Sequence, residues 1–189
     1  MARTYKEFID YCTEVTKKAN DIGAEYMISP RTGRKINKDG TLKYYNGDTL
    51  IFDLPEELKE ECYRLQAELY EALPNLLSVK LSKKLFHMTA HQLYNPYIFN
   101  FGELTDEEKE QRMNENLKKS KEIMKKHDLN TKIRLKIFSI IPDTVILLPA
   151  DEESYNVLQN LNMDFESLVP FDREMFYMHV TLAYFRPLE

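Results

Sequence analysis

Two short segments of this chain share one pattern, and that pattern constrains the fold more than any other feature of the sequence. They read FHMTAHQ, over residues 86–92, and MHVTLAY, over residues 178–184. In a β-strand, successive side chains point to opposite faces. Folded as strands, both segments have one apolar face that can cover a core and another that carries a histidine and a threonine together. The pattern therefore predicts two strands, each with one buried side.

Strict alternation assigns every side chain of the two segments to a face. In the first strand, the apolar face contains Phe86, Met88 and Ala90, and the opposite face contains His87, Thr89 and His91. In the second strand, the apolar face contains Met178, Val180, Leu182 and Tyr184, and the opposite face contains Tyr177, His179 and Thr181. The two faces that carry histidines are the predicted functional surfaces.

Paired histidines and threonines fit the attack of water on a phosphodiester. A general base must remove the proton of the water, and a general acid must protonate the leaving oxygen. Histidine suits both roles, because its unperturbed pKa of about 6.5 leaves both protonation states accessible near neutrality. The threonine hydroxyls, two residues further along each strand, can donate hydrogen bonds to the non-bridging phosphate oxygens. This scheme requires no metal and no cofactor.

The order of predicted elements indicates an α+β fold with antiparallel pairing. Helical spacing of apolar residues, prolines and a capping box predict helices over residues 4–20, 55–73, 105–127 and 152–161. Runs rich in β-formers predict strands over residues 41–45, 49–53, 84–94, 133–141, 145–148 and 176–185, with the first two paired as a short hairpin. Short strands interspersed with helices are typical of α+β domains. At 189 residues, the chain fits one domain or at most two tightly joined lobes.

Composition and charge exclude several classes of partner. The longest apolar run, residues 137–148, is interrupted by Pro142 and polar residues and is too short to cross a bilayer, so we expect no membrane partner. A formal net charge of −5 argues against a protein that coats nucleic acid without specificity. The two cysteines, Cys12 and Cys62, lie far apart without a metal-binding spacing, which favours buried thiols and a cytoplasmic location.

The two motifs, His87-Met-Thr89-Ala90 and His179-Val-Thr181-Leu182, resemble those of the 2H phosphoesterase superfamily, which includes the 2'-5' RNA ligase-like proteins and cyclic phosphodiesterases. The mark of that superfamily is two His-x-Thr/Ser motifs, each followed by a hydrophobic residue. The similarity covers roughly residues 49–187, judged by motif context and element order. It implies a single domain over residues 1–189, with residues 1–48 as a divergent N-terminal part.

The resemblance also implies an architecture, an activity and a set of site residues. The fold would have two pseudo-symmetric lobes of antiparallel sheet with flanking helices around a central cleft. The activity would be that of a phosphoric diester hydrolase acting on a 2',3'-cyclic phosphate or a related phosphodiester of a nucleotide or RNA. By position, His87 and His179 would be the catalytic acid–base pair, and Thr89 and Thr181 would bind the phosphate. Which histidine is the base stays open.

Four further residues around the motifs are candidate substrate contacts: His91, Tyr177, Tyr184 and Arg186. His91 shares the predicted face of His87, with a structural role as the alternative. An aromatic side chain beside the second motif can stack on a base, although strict alternation turns Tyr184 toward the core. Arg186 lies past the predicted strand end and can hold a phosphate through two parallel hydrogen bonds. A metal shared by His87 and His91 is disfavoured, because a regular strand separates them by roughly 13 Å along its axis.

Several alternatives stay open from the sequence. The basic segment over residues 31–38 can close over an anionic ligand or be a solvated loop. The same acid–base pair would serve a cyclic oligonucleotide or an RNA 3' end, so the substrate is not assigned, and no protein partner is predicted. From a different class, the protein can be a nucleotide- or RNA-binding module that has the cleft without turnover.

Overall fold

The computed structural model describes residues 3–21, 30–44, 47–95, 104–141, 143–170 and 178–187. Within these ranges the helices are α1 (Tyr5–Asp21), α2 (Glu56–Ala72), α3 (Asp106–Met124) and α4 (Glu152–Leu168). The strands are β1 (Asp48–Asp53), β2 (His87–Tyr94), β3 (Leu135–Ile141), β4 (Thr144–Pro149) and β5 (Met178–Thr181). They form two antiparallel sheets, with the orders β1–β2 and β3–β4–β5. The predicted α+β class with antiparallel pairing is confirmed.

Local sequence signals determine where the helices begin. The Thr105 hydroxyl accepts a hydrogen bond from the Glu108 backbone N–H, and the Glu108 carboxylate accepts one from the Thr105 backbone N–H, which completes the predicted capping box of α3. Asp151 accepts from the Ser154 backbone N–H at 2.8 Å at the start of α4, a helix that continues past the predicted end at Leu161. Among the helices of the described ranges, none combines the length and hydropathy needed to cross a membrane.

One apolar core joins the N-terminal helix to the larger sheet. Phe8 and Cys12 of α1 are buried in the same cluster as Val145 of β4 and Tyr155 of α4. The ring centroids of Phe8 and Tyr155 lie 5.1 Å apart. The first helix of the predicted divergent part therefore belongs to the main core, and its removal would expose apolar side chains of that core.

A second, smaller core lies between α3, α4 and the two-stranded β1–β2 ribbon. It contains Leu93 of β2, Ile123 of α3, and Leu161 and Phe165 of α4. The side-chain amide of Asn116, which is 4% exposed, donates a hydrogen bond to the Leu93 carbonyl at 3.0 Å. A buried polar group needs such a partner, so this bond ties α3 to β2 at a defined position.

Both cysteines are free thiols inside the protein. Cys12 and Cys62 are each 0% exposed. Burial raises the pKa of both thiols to about 11, because the thiolate loses hydration inside the core. Since the thiolate is the reactive form, neither side chain is suited to nucleophilic chemistry. The prediction of buried thiols is confirmed.

The turn-rich segment before β1 does not form the predicted hairpin. β1 pairs with β2 and not with residues 41–44, and Tyr45 lies outside the described residues. Leu42 instead forms an isolated antiparallel bridge with Ile36 across a tight turn. Gly40 in this turn has φ of +87°, and a Cβ atom there would lie 2.7 Å from Nε of Arg186. Glycine is therefore required where the turn approaches the C-terminal segment.

The strand predicted over residues 176–185 is much longer than β5, and its first two residues lie outside the described ones. The backbone N–H groups of Leu182 and Ala183 both donate to the Asp143 carbonyl, at 2.7 and 3.3 Å. Two consecutive donors on one acceptor do not continue the spacing of an antiparallel ladder. The regular pairing with β4 ends there for that reason.

Candidate functional site

The first motif lies on β2, with its histidine and threonine on an open face. His87 is exposed and Thr89 is half-buried, whereas Met88 between them is 2% exposed. The residues directly opposite on β1, Asp53 and Ile51, are exposed as well. Opposite residues of an antiparallel pair share a face. The predicted separation of a polar and an apolar face is confirmed for this part of the strand.

The imidazole ring of His87 has a defined orientation. Its Nδ1–H donates a hydrogen bond to the Leu85 carbonyl at 2.7 Å. Because a carbonyl oxygen only accepts, Nδ1 carries the hydrogen, and the lone pair of the neutral ring is on Nε2. Leu85 lies in a 3-10 turn whose Lys83 forms ion pairs with Glu56 and Glu60 of α2. The turn thus leaves Nε2 for proton transfer.

A β-bulge turns the strand over immediately after the first motif. Thr89 pairs with Ile51, and His91 pairs with the adjacent residue of β1, Leu50. Ala90, between them, has no partner of its own and is the extra residue of the bulge. An extra residue shifts the alternation by one, and the side chains that follow change faces. His91 is accordingly 5% exposed. The prediction that it shares the face of His87 is wrong, because strict alternation does not hold through a bulge.

His91 contributes instead to the packing of β2 against α4. Its Nδ1–H donates to the Gln92 carbonyl at 2.8 Å, and its Nε2 lies 3.3 Å from Oε1 of Glu166. Its ring centroid is 5.8 Å from that of Phe165. These contacts favour the structural alternative for His91 over a contact with substrate.

The second motif keeps regular alternation along β5. His179 and Thr181 are half-buried, and the residues on either side of His179 are 8% and 0% exposed. His179 lies opposite Ile146 of β4, and Thr181 lies opposite Thr144. Since Ile146 is 1% exposed, the polar face of β5 is more enclosed than that of β2. The predicted faces are confirmed for Met178–Thr181.

The two motif strands meet although they belong to different sheets. β2 and β5 contact each other directly. The side-chain amide of Gln66 on α2, which is 1% exposed, donates to the Leu81 carbonyl at 3.1 Å and to the Leu182 carbonyl at 2.8 Å. Leu81 precedes the first motif and Leu182 directly follows Thr181, so one amide ties together the segments that flank both motifs.

No sequence pattern identified Gln66 as a link between the two motif segments. It lies one turn after Cys62, beside the apolar stripe of α2. A polar residue on the buried side of an amphipathic helix is an available signal, since such a group needs hydrogen-bond partners. The identity of those partners depends on tertiary structure and has no local signal.

Each motif has a carboxyl group beside it, and the two pKa values are displaced in opposite directions. Asp53, across the ribbon from the first histidine, accepts a hydrogen bond from Lys59 at 2.6 Å, which lowers the pKa of its carboxyl. Burial raises the pKa of Asp143, in the turn before β4, although its carboxyl accepts a hydrogen bond from the Thr144 hydroxyl at 3.1 Å. Thr144 is the cross-strand neighbour of the second threonine. The ionised form is thus favoured beside the first motif and disfavoured beside the second.

The other residues predicted around the second motif have distinct surroundings. Tyr177 lies outside the described residues. Tyr184 is half-buried against the main core, and Nζ of Lys35, from the predicted basic segment, lies 5.1 Å from its ring centroid and donates to its hydroxyl at 3.4 Å. Arg186 donates from Nε to the Leu77 carbonyl at 2.7 Å, which gives it a role in the fold. Contact of these three residues with substrate stays a prediction.

The remaining histidine and the distribution of possible metal ligands complete the description of the site. His127, just after α3, places Nε2 2.9 Å from Oδ2 of Asp164 on α4. His87 and His91 lie on opposite faces of β2. Among the described residues, no group of three or more His, Cys, Asp or Glu side chains is arranged to hold a metal ion.

Comparisons with known proteins relate the chain to a fold and not to an activity. No protein-family model matches it, and no curated protein does. Among solved structures it is similar to ATU0111, a conserved protein of unknown function from Agrobacterium tumefaciens, with a TM-score of 0.61 and 14% identity over 87% of this chain and 74% of that one. TT0787 of Thermus thermophilus gives a TM-score of 0.41 at 16% identity, over 74% of each chain. The likeness to ATU0111 shows a shared fold alone.

Proposed function

We propose that this protein is a phosphodiesterase that hydrolyses a cyclic phosphate or a short nucleotide or RNA phosphodiester with two histidines and no metal. The observation that most supports this function is the contact between β2 and β5. The two strands come from separate sheets and distant parts of the chain, and each carries a His-x-Thr motif with its histidine outside the core. A structural histidine needs no second copy of its motif on a neighbouring strand.

The proposed reaction divides proton transfer between the two histidines. One, in its neutral form, accepts a proton from water as the water oxygen bonds to phosphorus. The other, in its protonated form, gives a proton to the leaving ribose oxygen as the P–O bond breaks. Nε2 of His87 is suited to either task, because Nδ1 is held by Leu85. The hydroxyls of Thr89 and Thr181 donate to the non-bridging oxygens, where negative charge accumulates.

The arrangement of the two sheets supports the architecture of the 2H phosphoesterase superfamily. In that architecture, two pseudo-symmetric lobes each give one motif strand to a central cleft. The ribbon β1–β2 would belong to one lobe and the sheet β3–β4–β5 to the other, with the cleft along the contact between β2 and β5. The half-buried state of His179 and Thr181 suits a position inside such a cleft.

Charge and cysteine chemistry support the proposed substrate and setting. A net charge of −5 suits a small phosphodiester better than a long polyanion, because few phosphate contacts have to be made. The two buried free thiols support a reducing compartment, and hence the cytoplasm.

Product analysis by chromatography, with EDTA present throughout, tests the proposal. The panel contains the four nucleoside 2',3'-cyclic monophosphates, ADP-ribose 1'',2''-cyclic phosphate, several cyclic dinucleotides and a short RNA that ends in a 2',3'-cyclic phosphate. The control is the double variant His87→Ala, His179→Ala, with its fold checked by circular dichroism.

Three outcomes are informative. Hydrolysis by the wild-type protein and none by the folded double variant would support the two-histidine reaction. Equal hydrolysis by the double variant would overturn it, and so would activity that appears only when a metal replaces EDTA. Saturable binding of a panel member without any product would contradict the enzyme and indicate a nucleotide-binding module.

A further inference from the structure

A cavity lies on the reverse side of the β1–β2 ribbon, where the smaller core opens to solvent between α4 and the end of α3. Its volume is about 530 Å³. The walls are mostly apolar and come from six helices and strands and the loop after α3, with Phe52, Leu58, Met88, Met124, Ile133 and Leu161 among the lining residues. Ligand cavities in proteins have volumes of about 300–1,000 Å³ and predominantly apolar walls.

This cavity is separate from the candidate active site. Met88 lies between His87 and Thr89 in the strand, and its side chain points to the opposite face. Phe52, directly opposite Met88 on β1, lines the cavity from the same side. A molecule held against Met88 and Phe52 would therefore contact the back of the first motif strand, and Asp53 is the lining residue that lies opposite its histidine.

The charged groups at the cavity select the class of ligand. Asp53 and Asp128 line it, and no lysine or arginine does so among the described residues. Asp53 is paired with Lys59, but within the described part of the chain Asp128 has no basic partner; its carboxylate accepts hydrogen bonds from the amides of Asn130. His127 at the rim is already engaged by an aspartate of α4. An anionic ligand would meet a carboxylate here, whereas a cation would find a counter-charge.

We propose that the cavity binds a small amphipathic cation, with an aromatic or branched hydrocarbon group between Met88, Met124 and Leu161 and an ammonium group at the carboxylate of Asp128. Burial of the hydrocarbon group supplies the affinity, and the carboxylate selects the charge. None of the groups proposed to hold this ligand is a motif residue, so the site does not depend on the proposed phosphodiesterase activity.

A pair of ligands that share one ring system and differ in charge tests the proposal. The probes are 1-naphthylmethylammonium and 1-naphthoate, titrated into protein with ¹³C-labelled methionine methyl groups and followed by NMR. Met88 and Met124 line the cavity, and Met163, which is 55% exposed on α4, is the internal control. We expect saturable shifts of Met88 and Met124 and none of Met163, with the ammonium binding at least about tenfold more tightly than the carboxylate.

Two variants separate the two parts of the proposal. Asp128→Asn keeps the oxygen that accepts from Asn130 and removes the charge, so it should reduce the preference for the ammonium to about threefold or less. Val157→Phe places a larger side chain into the cavity and should weaken both probes by about tenfold or more. Absence of saturable shifts, equal binding of the two probes to the wild type, or an unchanged preference in Asp128→Asn would overturn the proposal. None of these readouts depends on turnover, so their failure leaves the proposed enzyme untouched.

Discussion

β2 and β5 carry the same His-x-Thr pattern but bury it to different degrees. On β2, the histidine is exposed and lies opposite an exposed aspartate, and a bulge follows the threonine. On β5, the histidine is half-buried beside Ile146, and the alternation is regular to the end of the strand. The tripeptide alone therefore does not determine its surroundings. The surroundings of the histidine and the threonine depend on the residues that the partner strand places directly opposite.

The same comparison shows two ways to bury the position four residues after the histidine. In β2 that residue is His91, which the bulge at Ala90 turns into the smaller core. In the second motif segment it is Ala183, which is 0% exposed and lies after the end of β5, where its backbone N–H donates to the Asp143 carbonyl. In both segments the residue four positions after the histidine is thus buried, although by different means.

The largest expected effect separates the roles of the two histidines. His87→Ala and His179→Ala should each lower kcat/KM for a nucleoside 2',3'-cyclic phosphate by about 10²–10⁴-fold, since each removes one proton transfer. A p-nitrophenyl diester of a nucleoside 3'-phosphate has a leaving group that needs no proton. Only the variant that lacks the general acid should recover its rate on this substrate. Recovery by both variants, or by neither, would contradict a division of labour between the two strands.

The next effect compares the two threonines. Thr89→Val and Thr181→Val should each lose about 2–4 kcal/mol of transition-state stabilisation, measured as a fall in kcat/KM for the same cyclic phosphate. The serine variants should retain most of the rate, because they keep the donor. Thr13→Val, at an exposed position of α1, is the matched control. If a valine variant had the wild-type rate, the hydroxyl at that position would not take part in phosphate binding.

Loss of the buried imidazole tests the consequence of the bulge. His91→Phe should reduce the free energy of unfolding by about 1–3 kcal/mol, because the Gln92 carbonyl loses its donor in a buried setting. The kcat of the folded variant should change little. Urea denaturation and steady-state kinetics on the same preparations check both statements. A large fall in kcat at unchanged stability would contradict a structural role for His91 and indicate that it contacts substrate.

The amide that bridges the flanks of both motifs should have an effect on both stability and rate. Gln66→Met keeps the side-chain volume and removes both donors, so we expect a loss of about 1–3 kcal/mol in the free energy of unfolding. The kcat should fall less than in the threonine variants, since Gln66 acts only by positioning. Gln111→Met, on the exposed side of α3, is the control. Unchanged stability in Gln66→Met would show that other contacts hold β2 and β5 together.

Local patterns predicted the parts of this fold that depend on neighbouring residues. The capping box at Thr105, the antiparallel pair around the turn at Asp143 and the faces of both motifs are of this kind. The pairing of β1 with β2 was missed, because the choice between residues 41–45 and a strand more than thirty positions away depends on tertiary packing. The bulge was missed because alanine has no particular preference for that position.

The predictable part of the candidate site is limited in the same way. Alternation identified the histidines and threonines, which lie within three residues of each other on each strand. It did not identify Gln66 or Asp143, whose relation to the motifs depends on contacts between distant elements. α2 places Gln66 beside the end of β5, and the turn between β3 and β4 places Asp143 there. The residue pattern within either segment does not indicate this proximity.

The smallest expected effect is on the pH dependence of stability, to which the carboxyl groups of Asp143 and Asp53 beside the motifs contribute. The pKa of Asp143 is raised by burial, so the folded state keeps a proton that the unfolded chain has released, and this group's contribution to stability falls as pH rises from its unfolded pKa through its folded pKa. The pKa of Asp53 is lowered by Lys59, so its contribution is present above the unfolded pKa and is lost as pH falls through the folded one. Relative to the wild type, Asp143→Asn should therefore gain stability as pH rises above about 4. Asp53→Asn should lose stability relative to the wild type as pH rises toward about 4, and the difference should stay constant above that pH. Urea denaturation between pH 3 and pH 7 measures both differences, and curves that run parallel to the wild type would show that the two motifs do not differ in this respect.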